Sequence, residues 1–186
     1  IAAEDRVVLF GAVGGEADPR KGADLLRAAL PAVKQRLRQD DGRPLRLLTF
    51  GGAPGVSTFG DMAVRSVGQL DDEGLRLYYS AANVMVVPSR QEAFGQTASE
   101  AASAGAPVVA FDVGGLPDIV EDGVTGRLVD PFDIDGLTQA ICWVTGDGER
   151  NAQLSEAAKR SAAGWDAGVI GARYSEVTNA LLANAH

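Results

Sequence analysis

The 186-residue sequence predicts an α/β fold in which a Rossmann-like, largely parallel sheet is covered by helices on both faces. Two observations carry this expectation. Short runs rich in β-branched and aliphatic residues alternate with longer runs whose apolar residues recur at helical spacing. The short runs, among them RVVLF, VMVV and PVVAF, are apolar at consecutive positions, as strands buried on both faces are.

Taken in order, Arg6 to Ala12 (RVVLFGA) reads as the first strand, and GGEADPRKG breaks it. ADLLRAALPAVKQRLRQ follows, with Leu25, Leu26, Ala29, Leu30, Val33 and Leu37 on one helical face. Leu45 to Gly52 and Ala63 to Gly68 read as further strands, and DEGLRLYYSAA as a helix opened by Asp71 or Asp72. NVMVVPS, PVVAFDV and TGRLVDP each hold a β-rich centre. They are separated by the helical FGQTASEAASAG and by the shorter LPDIVEDG, where Pro117 suits a first helical turn. From Asp133 the pattern is helical to the end, with Trp165, Ile170 and Tyr174 expected to pack. Without a low-complexity linker or a repeat, residues 1–186 are read as one domain.

A composition of 46% hydrophobic residues with 23 glycines suffices for one sizeable core. The formal charge of −8 argues against a nucleic-acid partner. The single cysteine, Cys142, cannot pair within the chain and lies in the apolar AICWV, where a small buried hydrophobe is expected. No apolar stretch approaches a membrane span and the start lacks a leader pattern, so a soluble, cytoplasmic protein is expected. The chain begins at Ile1 almost directly with a strand, which suggests a piece of a longer protein.

Open α/β sheets bind ligands beyond the carboxyl ends of their strands, where helix N-termini present free N–H groups. Two loops have the composition for this. GAVGGEADPRKG offers glycines for close backbone approach and the cations Arg20 and Lys21 just before a helix, which suits a diphosphate. It lacks the spacing of a nucleoside-triphosphate loop or of a dinucleotide fingerprint, and a solvated glycine-rich loop is the alternative. PSRQEAFGQTASEA places Glu92 in the loop after a strand and Glu100 inside the following helix. The N–H groups of Phe94, Gly95, Gln96 and Thr97 would face whatever Glu92 faces, and Gly95 permits close approach. Carboxylates accept from hydroxyl pairs and bare N–H groups welcome anionic oxygens, a combination that fits a sugar phosphate. The alternatives are an acid favoured near a helix N-terminus for Glu92 and a solvated helix face for Glu100.

The stretch from PSRQEAFGQTASEA through FDVGGLPDIVEDGVTGRLVDPFDIDGL resembles the donor-binding half of glycosyltransferase family 4, retaining GT-B enzymes marked by a Glu, seven residues and a Glu. Lys21-Gly22, Tyr79-Ser80-Ala81-Ala82-Asn83, Gly114-Gly115, Gly123 and Gly126 extend the resemblance over nearly the whole chain, and the FGA and RKG elements resemble members from exopolysaccharide and capsule assembly. The resemblance implies that Glu92 contacts the donor sugar near the reacting centre and that the amides of Phe94 to Gln96 hold sugar hydroxyls or the distal phosphate. It further implies that Glu100 takes the ribose diol and that the base lies against Gly68, Gln69 and Leu70. The arginine many relatives have after the first strand is Ala12 here, with Arg20 as the candidate replacement, and Asn83 stands for a common Asp as a structural substitution.

The expected function is transfer of a glycosyl unit from a nucleotide-diphosphate sugar to a glycan or lipid-linked acceptor, with retention, in polysaccharide or glycoconjugate biosynthesis. No cofactor or metal is expected, since Arg20, Lys21 and helix N-termini can meet the leaving charge. The resemblance places an acceptor-binding half before this one, makes the fragment alone inactive, and admits peripheral membrane association of the full enzyme. The competing classes are a non-catalytic nucleotide-sugar binding module and a nucleotide-sugar epimerase of the same architecture. A pyridoxal-phosphate phosphorylase is disfavoured because Lys21, Lys34 and Lys159, the only lysines, lack its context.

Overall fold

The computed structural model of the protein describes residues 4–11, 17–40, 42–59 and 62–183. Strands β1 (Arg6–Gly11), β2 (Leu45–Phe50), β3 (Gly55–Phe59), β4 (Met62–Ser66), β5 (Val84–Val87), β6 (Val108–Phe111) and β7 (Gly126–Val129) form one sheet in the order β3-β4-β2-β1-β5-β6-β7. All neighbours are parallel except β3 and β4. The helices are α1 (Ala23–Asp40), α2 (Asp72–Ala81), α3 (Gln96–Ala104), α4 (Ile134–Gly146), α5 (Gly148–Ala162) and α6 (Ala167–Ala183).

The consecutive apolar residues of the strands are divided between two layers, because successive side chains leave a strand on opposite faces. Val8, Phe10, Leu47, Val84, Val86, Val109 and Phe111 meet Leu26, Leu30 and Val33 of α1 and Leu137, Ile141 and Val144 of α4. Val7, Leu9, Leu48, Met85, Val87, Val108 and Ala110 meet Tyr79 of α2 and Ala98, Ala101 and Ala102 of α3. The small residues of α3 let that helix lie close to the sheet. Asn83 joins the layers: its Oδ1 accepts from Val7 N at 2.8 Å, and its carbonyl accepts from Asn151 Nδ2 of α5 at 2.7 Å.

Strand order decides where a ligand can enter. From β1 the chain proceeds outward to β2 and β4, then crosses back so that β5 lies on the other side of β1. Loops leaving β1 and β5 therefore meet at the carboxyl edge of the sheet, at the switch point of a doubly wound fold, where such folds take their ligands. Among the described residues, 17–22 and 88–95 belong to those two loops.

Several expectations are corrected. The second strand ends at Phe50 rather than Gly52, since Gly51 turns out with φ +86, and the strand expected over Ala63 to Gly68 is Met62–Ser66, since Gly68 has φ +81. LPDIVEDG forms only a 3-10 turn at Leu116–Asp118, after which Asp122 bridges to Gly126. The antiparallel β3 is an added edge strand. Tyr174 does not pack: it is 72% exposed, and α6 carries no buried residue among those described. Trp165 packs at the margin of the α2–α3 layer, and Ile170 is half-buried. Ala12 lies outside the described residues. Cys142 is half-buried rather than buried, and its burial pushes the thiol pKa up. Among the described residues no helix is long and apolar enough to cross a membrane.

Candidate active site

The loop after β1 ends in a 3-10 turn, Pro19–Lys21. Pro19 presets the backbone of its first position, and Asp18 caps it by accepting from Arg20 N at 2.9 Å. Gly22 closes the turn with φ +70, and a Cβ there would run into the Pro88 carbonyl, so the turn is pressed against the loop after β5. That loop answers with Arg90. Its N–H donates to Arg20 O at 2.7 Å, its Nη1 donates to Pro19 O at 2.8 Å, and its guanidinium grips Asp24 of α1 at 2.8 and 2.7 Å.

Docked in this way, Lys21 and Glu92 meet. Lys21 Nζ lies 2.7 Å from Glu92 Oε2, with side chains 25% and 13% exposed, and Ser89 Oγ lies 3.4 Å from the same oxygen. The backbone of Glu92 is fixed from behind by the loop after β6. Gly115 N donates to Glu92 O at 3.1 Å, and Gly114, at φ +56, presents a bare Cα where a Cβ would strike that same carbonyl. Arg20, Lys21, Arg90, Glu92 and Gly114 line a cleft of about 540 Å³. Arg20 is spoken for within it: its Nε and Nη2 donate to Asp18 at 3.0 and 2.7 Å, which holds the Asp18 carboxyl below the usual range and the guanidinium above its own.

A second cleft of about 320 Å³ is lined by Phe50, Gly51, Gln69, Leu70, Leu75, Gln96, Thr97 and Glu100. Gly68 turns the chain so that Gln69 and Leu70 reach it, its own carbonyl accepting from Gly51 N at 2.8 Å. α3 starts at Gln96 with Gly95 as its N-cap at φ 97, and among the described residues no side chain caps it. A Cβ on Gly95 would sit 2.8 Å from Leu116 Cδ2 and 3.0 Å from Ile119 Cδ1, so glycine is required by conformation and by space. The first residues of α3, Gln96 and Thr97, line this second cleft, and a helix N-terminus favours anionic oxygens.

The structure brings Arg20, Lys21 and Glu92 to one cleft and Gln69, Leu70, Gln96, Thr97 and Glu100 to the other, with Gly68 and Gly95 as the turns behind them. Phe94 is different: its side chain is 62% exposed and turns toward a third cleft beside Trp165, leaving its backbone as the part nearest α3. Sequence reasoning passed over Asp18, Tyr79 and Arg90 as site residues. Arg90 stands inside the motif, yet its bonds reach Pro19 and Asp24, and spacing carries no signal for contacts at that separation.

The sequence profile described as "Glycosyl transferases group 1" matches residues 5–147. The D-inositol 3-phosphate glycosyltransferase of Corynebacterium efficiens is 35% identical over 182 residues, covering 89% of this chain and 42% of that protein. The GDP-mannose-dependent alpha-(1-6)-phosphatidylinositol monomannoside mannosyltransferase of Mycolicibacterium smegmatis is 33% identical over 175 residues, covering 86% and 44%. Among solved structures, sucrose-phosphate synthase from Thermosynechococcus elongatus matches with a TM-score of 0.76 at 33% identity, over 99% of this chain and 47% of that one. Anabaena HepE, solved in complex with UDP and glucose, matches with a TM-score of 0.73 at 23% identity over 95% and 49%, a likeness of fold alone. The sheet is one Rossmann-like half of the GT-B arrangement, and the chain spans less than half the length of these relatives.

Proposed function

Because the chain belongs to the glycosyl transferases group 1 family, we propose that it is the donor-binding half of a retaining glycosyltransferase. In this reading the full enzyme moves a sugar from a nucleotide-diphosphate sugar to a glycan or lipid-linked acceptor in polysaccharide or glycoconjugate biosynthesis, and an acceptor-binding half precedes residues 1–186. The observation that carries it is the meeting of Lys21 and Glu92 at 2.7 Å across the β1–β5 crevice, with an uncapped helix N-terminus alongside. A cation and a carboxylate in one cleft, with the free N–H groups of the helix that follows in the same chain segment, suit a diphosphate joined to a hydroxylated ring. The named donor of the Mycolicibacterium relative, GDP-mannose, supports the same donor class.

The residues divide the ligand. Lys21, with Arg20 at the cleft rim, faces the diphosphate, and the N–H groups of Phe94 to Gln96 face its distal oxygens and the sugar hydroxyls. Glu92 faces the sugar, Glu100 the ribose diol, and Gln69 and Leu70 the base. As the glycosidic bond breaks, the sugar gains oxocarbenium character and the diphosphate gains negative charge. Lys21 and the α3 N-terminus are in place to meet the second charge without metal, and the Glu92 carboxylate to meet the first.

Titration calorimetry with UDP, GDP and the parent nucleosides tests the binding half of this proposal. A nucleoside diphosphate should bind more tightly than its nucleoside, and Lys21→Ala should narrow that gap by about 10-fold or more, as loss of a charge-assisted phosphate contact does. Equal weakening of both by Lys21→Ala would remove Lys21 from the phosphate site, and failure of every nucleotide to bind would overturn the proposal.

A further inference from the structure

We infer that Tyr79 is a positioning residue for the nucleoside cleft, acting through Glu100. The inference rests on the donor-binding function proposed above and deepens it. Tyr79 is the buried residue of α2, 2% exposed, with its ring held edge-on against Phe50 at a centroid distance of 5.6 Å. A phenol in such surroundings needs an acceptor. It has one in Glu100, to whose Oε2 the Tyr79 hydroxyl donates at 2.9 Å, while Gln96 Nε2 donates to Oε1 at 2.9 Å. Each carboxylate oxygen is therefore held by one side chain, Oε2 from α2 and Oε1 from one turn earlier in Glu100's own helix α3.

This arrangement does more than satisfy a buried hydroxyl. An ionised carboxylate has about four acceptor positions, and Tyr79 and Gln96 take one on each oxygen. One position per oxygen is left on a group that lines both the nucleoside cleft and the third cleft beside Trp165, and a pair of adjacent acceptors is the pattern a vicinal diol requires, since its two hydroxyls donate side by side. Glu100 alone on a helix would have rotamer freedom to lose on binding a diol; with both oxygens anchored, that loss is largely made beforehand. Phe50 completes the device, because it lines the same cleft and fixes the Tyr79 ring from the side. Burial first, and the Glu100 charge second, push the Tyr79 pKa upward, so the phenol remains a donor throughout the working pH range.

The test is Tyr79→Phe, which keeps the ring against Phe50 and removes only the hydroxyl. Affinities of UDP and GDP and of their 2′-deoxy analogues are measured by calorimetry on wild type, Tyr79→Phe, Glu100→Gln and the double variant, with circular dichroism to establish folding. Tyr79→Phe should weaken the ribonucleotide by about 10-fold, the scale of one hydrogen bond to a charged group. It should leave the deoxy analogue within about 2-fold, and should add little in the Glu100→Gln background, because the two residues share one path. The ratio of ribo to deoxy affinity is internal to the folded population, so a loss of stability alone does not move it. Equal weakening of both sugars, or no weakening of either, would leave Tyr79 as packing and overturn the inference while the proposed function stands. Binding of neither nucleotide by wild type would overturn both.

Discussion

The Lys21–Glu92 pair lends itself to a direct energetic test. Ion pairs in full solvent contribute about 0.2–1 kcal/mol, whereas hydrogen bonds to charged groups in shielded positions contribute about 1.5–3 kcal/mol. Lys21 at 25% and Glu92 at 13% side-chain exposure stand between these regimes, and their 2.7 Å separation is that of a well-formed charge-assisted bond. A coupling of about 1–2 kcal/mol follows. The perturbations are Lys21→Met, which keeps most of the stem that packs in the cleft, Glu92→Gln, which keeps the shape and removes the charge, and the two together. Urea denaturation of the four proteins gives the coupling as the difference between the double variant and the sum of the singles. The Lys21→Met loss should exceed the pair energy, because the partly buried Glu92 carboxylate would be left with the long 3.4 Å bond from Ser89 Oγ. Single effects that add to within about 0.5 kcal/mol would refute the argument, and would mean that the two side chains meet without holding the loops together.

Further outcomes are expected elsewhere in the site. Gly114→Ala should destabilise by about 2–4 kcal/mol, from left-handed strain plus collision with the Glu92 carbonyl. Gly123→Ala, at φ +76 with open space around it, should show the strain alone, and equal melting temperatures for the two would dismiss the collision. In the full-length enzyme, Glu92→Ala should lower turnover about 100-fold or more at saturating donor while Glu100→Ala chiefly raises the donor KM; full turnover by Glu92→Ala would return that residue to the role of a loop acid. The Asp24 pKa is depressed, chiefly by its hydrogen bond to Arg90, so the clamp's contribution is complete above the unfolded aspartate value near pH ~4 and is lost as pH falls through the lower folded value. Melting temperatures of wild type and Asp24→Asn should therefore differ at neutral pH and converge in acid; a gap that persists below about pH 2 would contradict this.

The sheet was legible in the sequence because its central strands are buried on both faces, and Val84–Val87 and Val108–Phe111 carry that burial as unbroken apolar runs. β3 was not, for the converse reason: GVSTF is exposed at every position but Phe59, and its flanking glycines and proline look like a loop. The carboxylates of the site stood out through their spacing on a loop and one helix, which is local information. Tyr79 reads in the sequence as an apolar helix residue, and only the packing of α2 against α3 turns its hydroxyl toward Glu100. Tyr174 failed in the other direction. Its periodicity promised burial, but helical spacing specifies a face and not the partner for that face, and the described residues leave α6 in contact mainly with the turn at Ala163–Trp165.

The grip on Glu92 has an implication for how such a site diversifies. Its carbonyl is held by Gly115 N and crowded by the bare Cα of Gly114, while its carboxylate extends into the cleft toward Lys21. Location and chemistry at position 92 are thus governed by different residues. A library randomised at 92 would sample new reactivities at one unchanged point in space, whereas randomising 114 would move that point and degrade every variant alike. The chain can explore what stands at the crevice without renegotiating where it stands.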